Sequence, residues 1–133
     1  MRKLLYILLV FSLTPCLAQS KGEAFEDFFN NFKESPDFQK KRIIFPLSSI
    51  TIRMDTEKAD TVQIQAEGWK FHDFRLLRSG FQVRFFDSFT RKLRDTDERV
   101  VSLIGNDNGV YYSYFFKRTE GKWNLIMILD EST

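Results

Sequence analysis

The chain has 133 residues, 43% hydrophobic and 29% charged, with 20 Lys and Arg against 18 Asp and Glu. Arg2 and Lys3 belong to the N-terminal segment, so the remainder is near neutral without a basic block, which argues against nucleic acid, where phosphate neutralisation dominates affinity. The single cysteine, Cys16, and single histidine, His72, exclude a disulfide framework and argue against structural zinc.

The chain opens MRKLLYILLVFSLTPCLAQS. Arg2 and Lys3 precede an apolar run from Leu4 to Leu13, Pro15 ends it, and small residues lead to a cleavage site after Ala18. The run falls short of the roughly 20 apolar residues that span a bilayer. Residues 1–18 therefore read as an export signal and residues 19–133 as one domain, periplasmic or secreted. The alternative is lipidation at Cys16, which would anchor the domain in the cell envelope; Pro15, where a small residue is wanted, favours simple secretion. Membrane association is expected only with that lipid.

About 115 residues remain, enough for a single core. Of 15 phenylalanines all but Phe11 fall in this part, so the core should be aromatic-rich. From Glu23 to Glu34, Phe25, Phe28, Phe29 and Phe32 recur at helical spacing, the pattern of a helix with one buried stripe. SPDFQKKRIIFPL follows: Ser35 fits an N-cap, Pro36 the first helical position and Asp37 the first turn, so a short helix over Pro36 to Arg42 is expected. Phe45-Pro46 should stop it and release the chain into the sheet. Gln39 and Arg42 lie three apart and share a helix face. Turned inward, each would need hydrogen-bond partners, and Arg42 is expected to pair with a carboxylate.

From Ser48 the period becomes two. Ile50, Ile52 and Met54, then Val62, Ile64 and Ala66, then Phe81, Val83 and Phe85 alternate with polar residues, as half-buried strands do. Trp69 to Leu77 fits either a strand or a turn of helix. NDNG, from Asn106 to Gly109, reads as a turn between strands; neither it nor DTDE at Asp95 to Glu98 has calcium-loop spacing. GVYYSYFFKR and KWNLIMILD flank Thr119-Glu120-Gly121 as a hairpin. Both arms are apolar on both faces, so both faces should be covered, by helices on one side and by further chain, a partner or a ligand on the other.

No phosphate loop or serine-nucleophile motif occurs, and His72 beside Asp73 is not a catalytic pair by adjacency. No cofactor is expected. Acid–base chemistry would have to come from a carboxylate such as Asp37, Asp73 or Asp87 whose pKa burial raises.

Phe38-Gln39, Arg42-Ile43 and Phe45-Pro46-Leu47, followed by Trp69, Phe74, Phe115-Phe116-Lys117-Arg118 and Gly121-Lys122-Trp123, resemble domain of unknown function family 4348. This is a group of exported bacterial proteins within the nuclear transport factor 2-like superfamily. The resemblance implies an α+β fold in which two or three N-terminal helices pack in a strongly curved, mostly antiparallel sheet. The superfamily holds isomerases and dehydratases beside non-catalytic modules, so it implies shape and carries over no catalytic residue.

The expected function is a non-catalytic module for a small apolar ligand or a protein, with homodimerisation through the outer face of the sheet. The alternative is a cofactor-free isomerase or dehydratase using a pocket carboxylate and a tyrosine. Candidate pocket or helix–sheet contacts are Phe38, Gln39, Arg42, Phe45, Trp69, Tyr112, Tyr114, Phe116 and Trp123.

Overall fold

A computed structural model describes residues 22–53, 55–74, 80–91 and 96–133. The expected signal, Cys16, Met54, the far end of the Trp69 to Leu77 stretch and Asp95 lie outside these residues. No helix among them is long and apolar enough to cross a membrane.

Helix α1 (Phe25–Glu34) buries Phe28, Phe29 and Phe32, with Glu26 and Asp27 in its first turn and Lys33 in its last, as the helix dipole favours. Glu23 stays outside the helix because its N–H donates to the Gly121 carbonyl at 2.9 Å. Ser35 ends α1 and caps α2 (Pro36–Lys41): its N–H donates to the Asn31 carbonyl, and its Oγ accepts from Phe38 N–H at 3.3 Å. One residue thus turns the chain between two helices.

The expectation that Pro46 opens the sheet is corrected here. Strand β1 (Ile43–Arg53) begins three residues before the proline. Ile43 already pairs with Leu125 of the last strand, and the register shifts between Ile43 and Ser48. A proline cannot donate to a ladder, and this irregular stretch tolerates it. The Phe45–Pro46 peptide is cis.

The remaining strands are β2 (Lys58–Ile64), β3 (Phe81–Phe86), β4 (Glu98–Gly105), β5 (Tyr111–Thr119) and β6 (Lys122–Asp130), with a 3-10 turn at Ala66–Gly68. Ala66, expected on a strand, lies in that turn. The sheet order is β2-β1-β6-β5-β4-β3, antiparallel throughout except where β1 meets β6 in parallel. A second register shift, between Phe115 and Phe116, interrupts the β5–β6 ladder. Such irregularities bend strands, and the sheet curves around the helices as an α+β cone. The β5–β6 hairpin closes on Glu120-Gly121, both with positive φ (51° and 76°), the conformation that matches strand twist in a two-residue turn.

Inside the cone, Phe28, Phe32, Leu47, Val101, Phe116, Trp123 and Leu125 are fully buried. Burial of each large apolar side chain stabilises by about 1.5–3 kcal/mol. Phe116 meets Phe28 and Phe32 in edge-to-face contacts at 5.6 and 5.2 Å.

The outer face is covered over β4 and β5 by the chain itself. Val100, Ser102, Ser113 and Phe115 are buried on that side. Phe89, following β3, meets Phe115 edge-on at 5.5 Å. Arg91 donates to Ser113 Oγ at 3.4 Å, pairs with Glu131 at 3.0 Å and lies over the Tyr111 ring. The apolar second side of the hairpin therefore packs in part against residues 87–91.

Candidate functional site

After the 3-10 turn the chain from Trp69 to His72 has no ladder partner, so its backbone groups need hydrogen bonds from elsewhere. Gln39 supplies them. Its Nε2 donates to the carbonyls of Phe32 (3.1 Å) and His72 (3.0 Å), and its Oε1 accepts from Trp69 Nε1 (3.2 Å) and His72 N–H (2.9 Å). Two donors and two acceptor sites are used in full, and the residue is completely buried. The partners also fix the amide orientation, because two are donors and two are carbonyls.

This clamp sets His72 at the mouth of a recess of about 310 Å³ lined by His72, Asp73, Phe74, Phe81, Leu103, Val110, Tyr112 and Tyr114. The imidazole lies 4.6 Å from the Trp69 ring, and its Nδ1 is 3.1 Å from Tyr114 Oη. Tyr112 and Tyr114 alternate on β5 and face inward with Leu103 and Val101 of β4. Phe74 meets Tyr114 edge-on at 5.0 Å and Phe29 at 5.5 Å, tying the pocket wall to α1. Asp130 stands opposite Tyr112 on β6, with its carboxylate acting on the phenol. The same carboxylate accepts from Ser132 N–H at 3.0 Å.

Burial lowers the His72 pKa from its ordinary value, so the imidazole is neutral at neutral pH. Tyr114 is pushed far up, first by burial and then by the nearby Tyr112 and Asp130 charges. Tyr112 is raised by burial and by the Asp130 carboxylate across the ladder. Both hydroxyls hold their protons. The arrangement sets two phenols and an uncharged imidazole, the imidazole already paired with Tyr114, in aromatic and aliphatic walls. Among the described residues no group of three or more His, Cys, Asp or Glu could hold a metal ion.

A second recess of about 450 Å³ lies between α1 and the β3 edge, lined by Phe25, Glu26, Phe29, Asn30, Lys33, Phe85, Asp87 and Arg99. Two of its charged residues pair, with Arg99 Nε 3.5 Å from Asp87.

The residues singled out in the sequence divide into three sets. Tyr112 and Tyr114 line the first recess. Gln39, Trp69 and Phe45 form the clamp behind it, with Phe45 6.4 Å from Trp69. Phe116 and Trp123 are core, and Phe38 packs beside them. Arg42 faces away from both recesses: it bonds Glu23 through two nitrogens (2.9 and 2.8 Å), donates to the Trp123 carbonyl at 2.9 Å, and lies over Phe38. Of the three carboxylates considered for acid–base chemistry, only Asp73 lines the first recess; Asp87 lies on the second, and Asp37 is exposed. Phe81, Leu103, Val110 and Asp130 went unnoticed as site residues. The alternation of Phe81, Val83 and Phe85 was the available signal for the first of these.

The model of a family described as a domain of unknown function, DUF4348, matches residues 10–130. No curated protein matches the chain. Among solved structures, a nuclear transport factor 2-like protein from Bacteroides fragilis is 21% identical with a TM-score of 0.61, over 86% of this chain and 50% of its own. The chain thus spans half the length of that protein. A cystatin-like protein from Bacteroides caccae (23% identical, TM-score 0.55) covers 83% of this chain and 77% of its own. A Bacteroides uniformis protein solved by NMR (23%, 0.55) covers 82% and 77%. At these identities the likeness is one of fold.

Proposed function

The chain belongs to the DUF4348 family of nuclear transport factor 2-like domains, and on that footing we propose that it is a non-catalytic module binding a small ligand in the recess beneath Tyr114. One observation carries the reading. Aromatic and aliphatic walls enclose about 310 Å³ and converge on a few polar groups, His72, Tyr112 and Tyr114, held in place from behind. Small-molecule sites have this character, with volumes from about 300 Å³ upward.

Binding is favoured over isomerase-type catalysis by the state of the polar groups. Asp130, the carboxylate that acts on both tyrosines, already accepts a hydrogen bond from Ser132 N–H. Tyr114, with its pKa raised, is a poor proton donor in a reaction and keeps its hydroxyl proton. Export belongs to the same proposal: with residues 1–18 removed, the domain would meet its ligand outside the cytoplasm.

The test is a fragment screen read by amide NMR. Fragments should shift signals from His72, Phe74, Tyr112 and Tyr114, and Leu103→Trp, which fills the recess, should abolish those shifts while leaving the rest of the spectrum native. A screen in which no fragment moves these signals, or in which Leu103→Trp binds as the wild type does, would refute the reading.

A further inference from the structure

We infer that Asn108 is a site of spontaneous covalent modification. It closes through the Gly109 nitrogen to a succinimide, which water opens to aspartate or isoaspartate, and the folded loop promotes the closure.

Asn108 lies exposed in the NDNG turn between β4 and β5. Its Oδ1 accepts from Val110 N–H at 3.2 Å, the local bond by which an asparagine shapes a turn. Gly109 has positive φ (69°) and no side chain of its own to shield its nitrogen. Its carbonyl accepts from Thr133 N–H at 2.9 Å, whereas among the described residues nothing accepts from its N–H. Asn108 Nδ2 likewise has no acceptor among them. A methyl group on Gly105 would overlap the Asn108 amide, so that side chain is folded across the loop into space that only a glycine leaves open.

Each of these groups has a part in ring closure. Attack by the Gly109 nitrogen on Asn108 Cγ moves negative charge onto Oδ1, and Val110 N–H already donates to that oxygen, as an oxyanion donor does. As the N–C bond forms, the Gly109 proton passes through water to Nδ2, which leaves as ammonia. Water then adds to one of the two ring carbonyls. At the former side-chain carbonyl it restores the main chain as aspartate; at the main-chain carbonyl it leaves the chain running through the side chain, as isoaspartate. In sum one water enters and one ammonia departs.

The other four asparagines supply an internal comparison. Asn30 and Asn31 lie in α1, where the N–H that follows each is bonded back along the helix. After Asn124, Leu125 N–H donates to the Arg42 carbonyl at 2.8 Å. After Asn106, the Asp107 side chain crowds the nitrogen and its charge opposes loss of the proton.

The change reaches the first recess without any ligand. The turn is tied by Gly105 N–H to the Val110 carbonyl and by Asn106 N–H to the Gly80 carbonyl, both at 2.8 Å. Isoaspartate adds a methylene to this tied backbone beside Val110, which lines the recess.

The experiment ages the protein in mildly alkaline buffer, native and in parallel in urea, and maps its peptides by mass with electron-transfer fragmentation to identify isoaspartate. In the native protein Asn108 should convert while the other four asparagines persist, and the Val110 and Tyr112 amide signals should split as isoaspartate accumulates. The native rate should exceed the urea rate about fivefold, the equivalent of one hydrogen bond of about 1 kcal/mol. Gly105→Ala displaces only the end of a flexible side chain, so the variant should fold and its native rate should fall toward the urea rate. A wild-type native rate no higher than that in urea, conversion shared with the other asparagines, or a folded Gly105→Ala that converts as fast as wild type would overturn the inference.

Discussion

Gln39 holds His72 by both ends of its peptide unit, accepting from its N–H at 2.9 Å and donating to its carbonyl at 3.0 Å. One side chain on the second helix therefore sets the position of the sole histidine, and with it one wall of the recess. Replacing Gln39 by Leu would leave the His72 N–H and carbonyl, the Phe32 carbonyl and the Trp69 N–H without that partner. Each orphaned buried group costs about 1–3 kcal/mol, with relaxation recovering part, so a loss of about 3 kcal/mol or more is expected. Gln39→Glu keeps the shape but turns an acceptor toward two carbonyls and buries a charge; it should be at least as damaging. Urea unfolding of both variants checks this. A midpoint within error of wild type for either one would remove Gln39 from the role described.

His72 should make stability depend on pH in a defined direction. Its folded pKa lies below the ordinary 6.5 because burial disfavours the imidazolium. In the unfolded chain it takes up a proton near 6.5, so below that pH the unfolded state binds more protons than the folded one. Stability is then full above about pH 6.5, declines as pH falls beneath it, and levels off once the folded imidazole also titrates. Because the chain has one histidine, the difference between wild type and His72→Gln isolates this contribution from the carboxylates. Unfolding midpoints measured from about pH 7.5 down to 5 should converge for the two proteins, relative to their separation at neutral pH. Parallel curves would show that the imidazole is not desolvated.

Local patterns in the sequence specify local structure well. The spacing of Phe25, Phe28, Phe29 and Phe32 is enough to place α1 and its buried face, since helical period and core contact are the same fact. Ser35 and Pro36 mark the second helix because capping chemistry is encoded within four residues. What pairs across long separations leaves no such trace. Gln39 is visible as a polar residue on a buried face, but its partners Trp69 and His72 lie 30 and 33 residues away. The parallel pairing of β1 with β6 joins the first and last strands, and neither strand's alternation names its neighbour. The apolar outer side of β5 is legible as a surface needing cover, whereas its occupant, Phe89, sits in a polar loop with no periodicity to announce it. The recess suffers most, because it gathers single residues from four separate stretches.

Glu23 and Arg42 should behave as a coupled pair. The two carboxylate oxygens meet two guanidinium nitrogens at 2.8 and 2.9 Å, and Glu23 also accepts from Trp123 N–H at 3.2 Å. Both side chains are largely shielded, 17% exposed for Arg42 and 25% for Glu23, so solvent screens the pair less than a surface bridge. Glu23→Gln should cost about 1.5–3 kcal/mol, the range for hydrogen bonds to charged groups. Arg42→Met should cost at least as much, since Arg42 also serves the Trp123 carbonyl and packs on Phe38. The double mutant should lose clearly less than the two singles together, by about 1 kcal/mol or more. Additive losses would mean that the residues stabilise the fold separately and that the bidentate contact contributes nothing of its own.

Phe89→Ala should decide what the outer face of the sheet is for. The ring covers Phe115 at 5.5 Å, while the loop is held independently by the Phe89 N–H donating to Glu98 at 2.9 Å and by the Arg91–Glu131 pair. Alanine would uncover the face without releasing the loop's anchors, at a cost of about 1–3 kcal/mol for a ring that is only half-buried. If residues 87–91 are the cover this face requires, the exposed Phe115 should make the variant self-associate, and sedimentation should show a rising mass with concentration where wild type shows none. If instead two copies already meet through this face, Phe89 would be part of that contact, and the same substitution should weaken the association. The sign of the change in sedimentation therefore separates a sheet that the chain covers by itself from one completed by a second subunit.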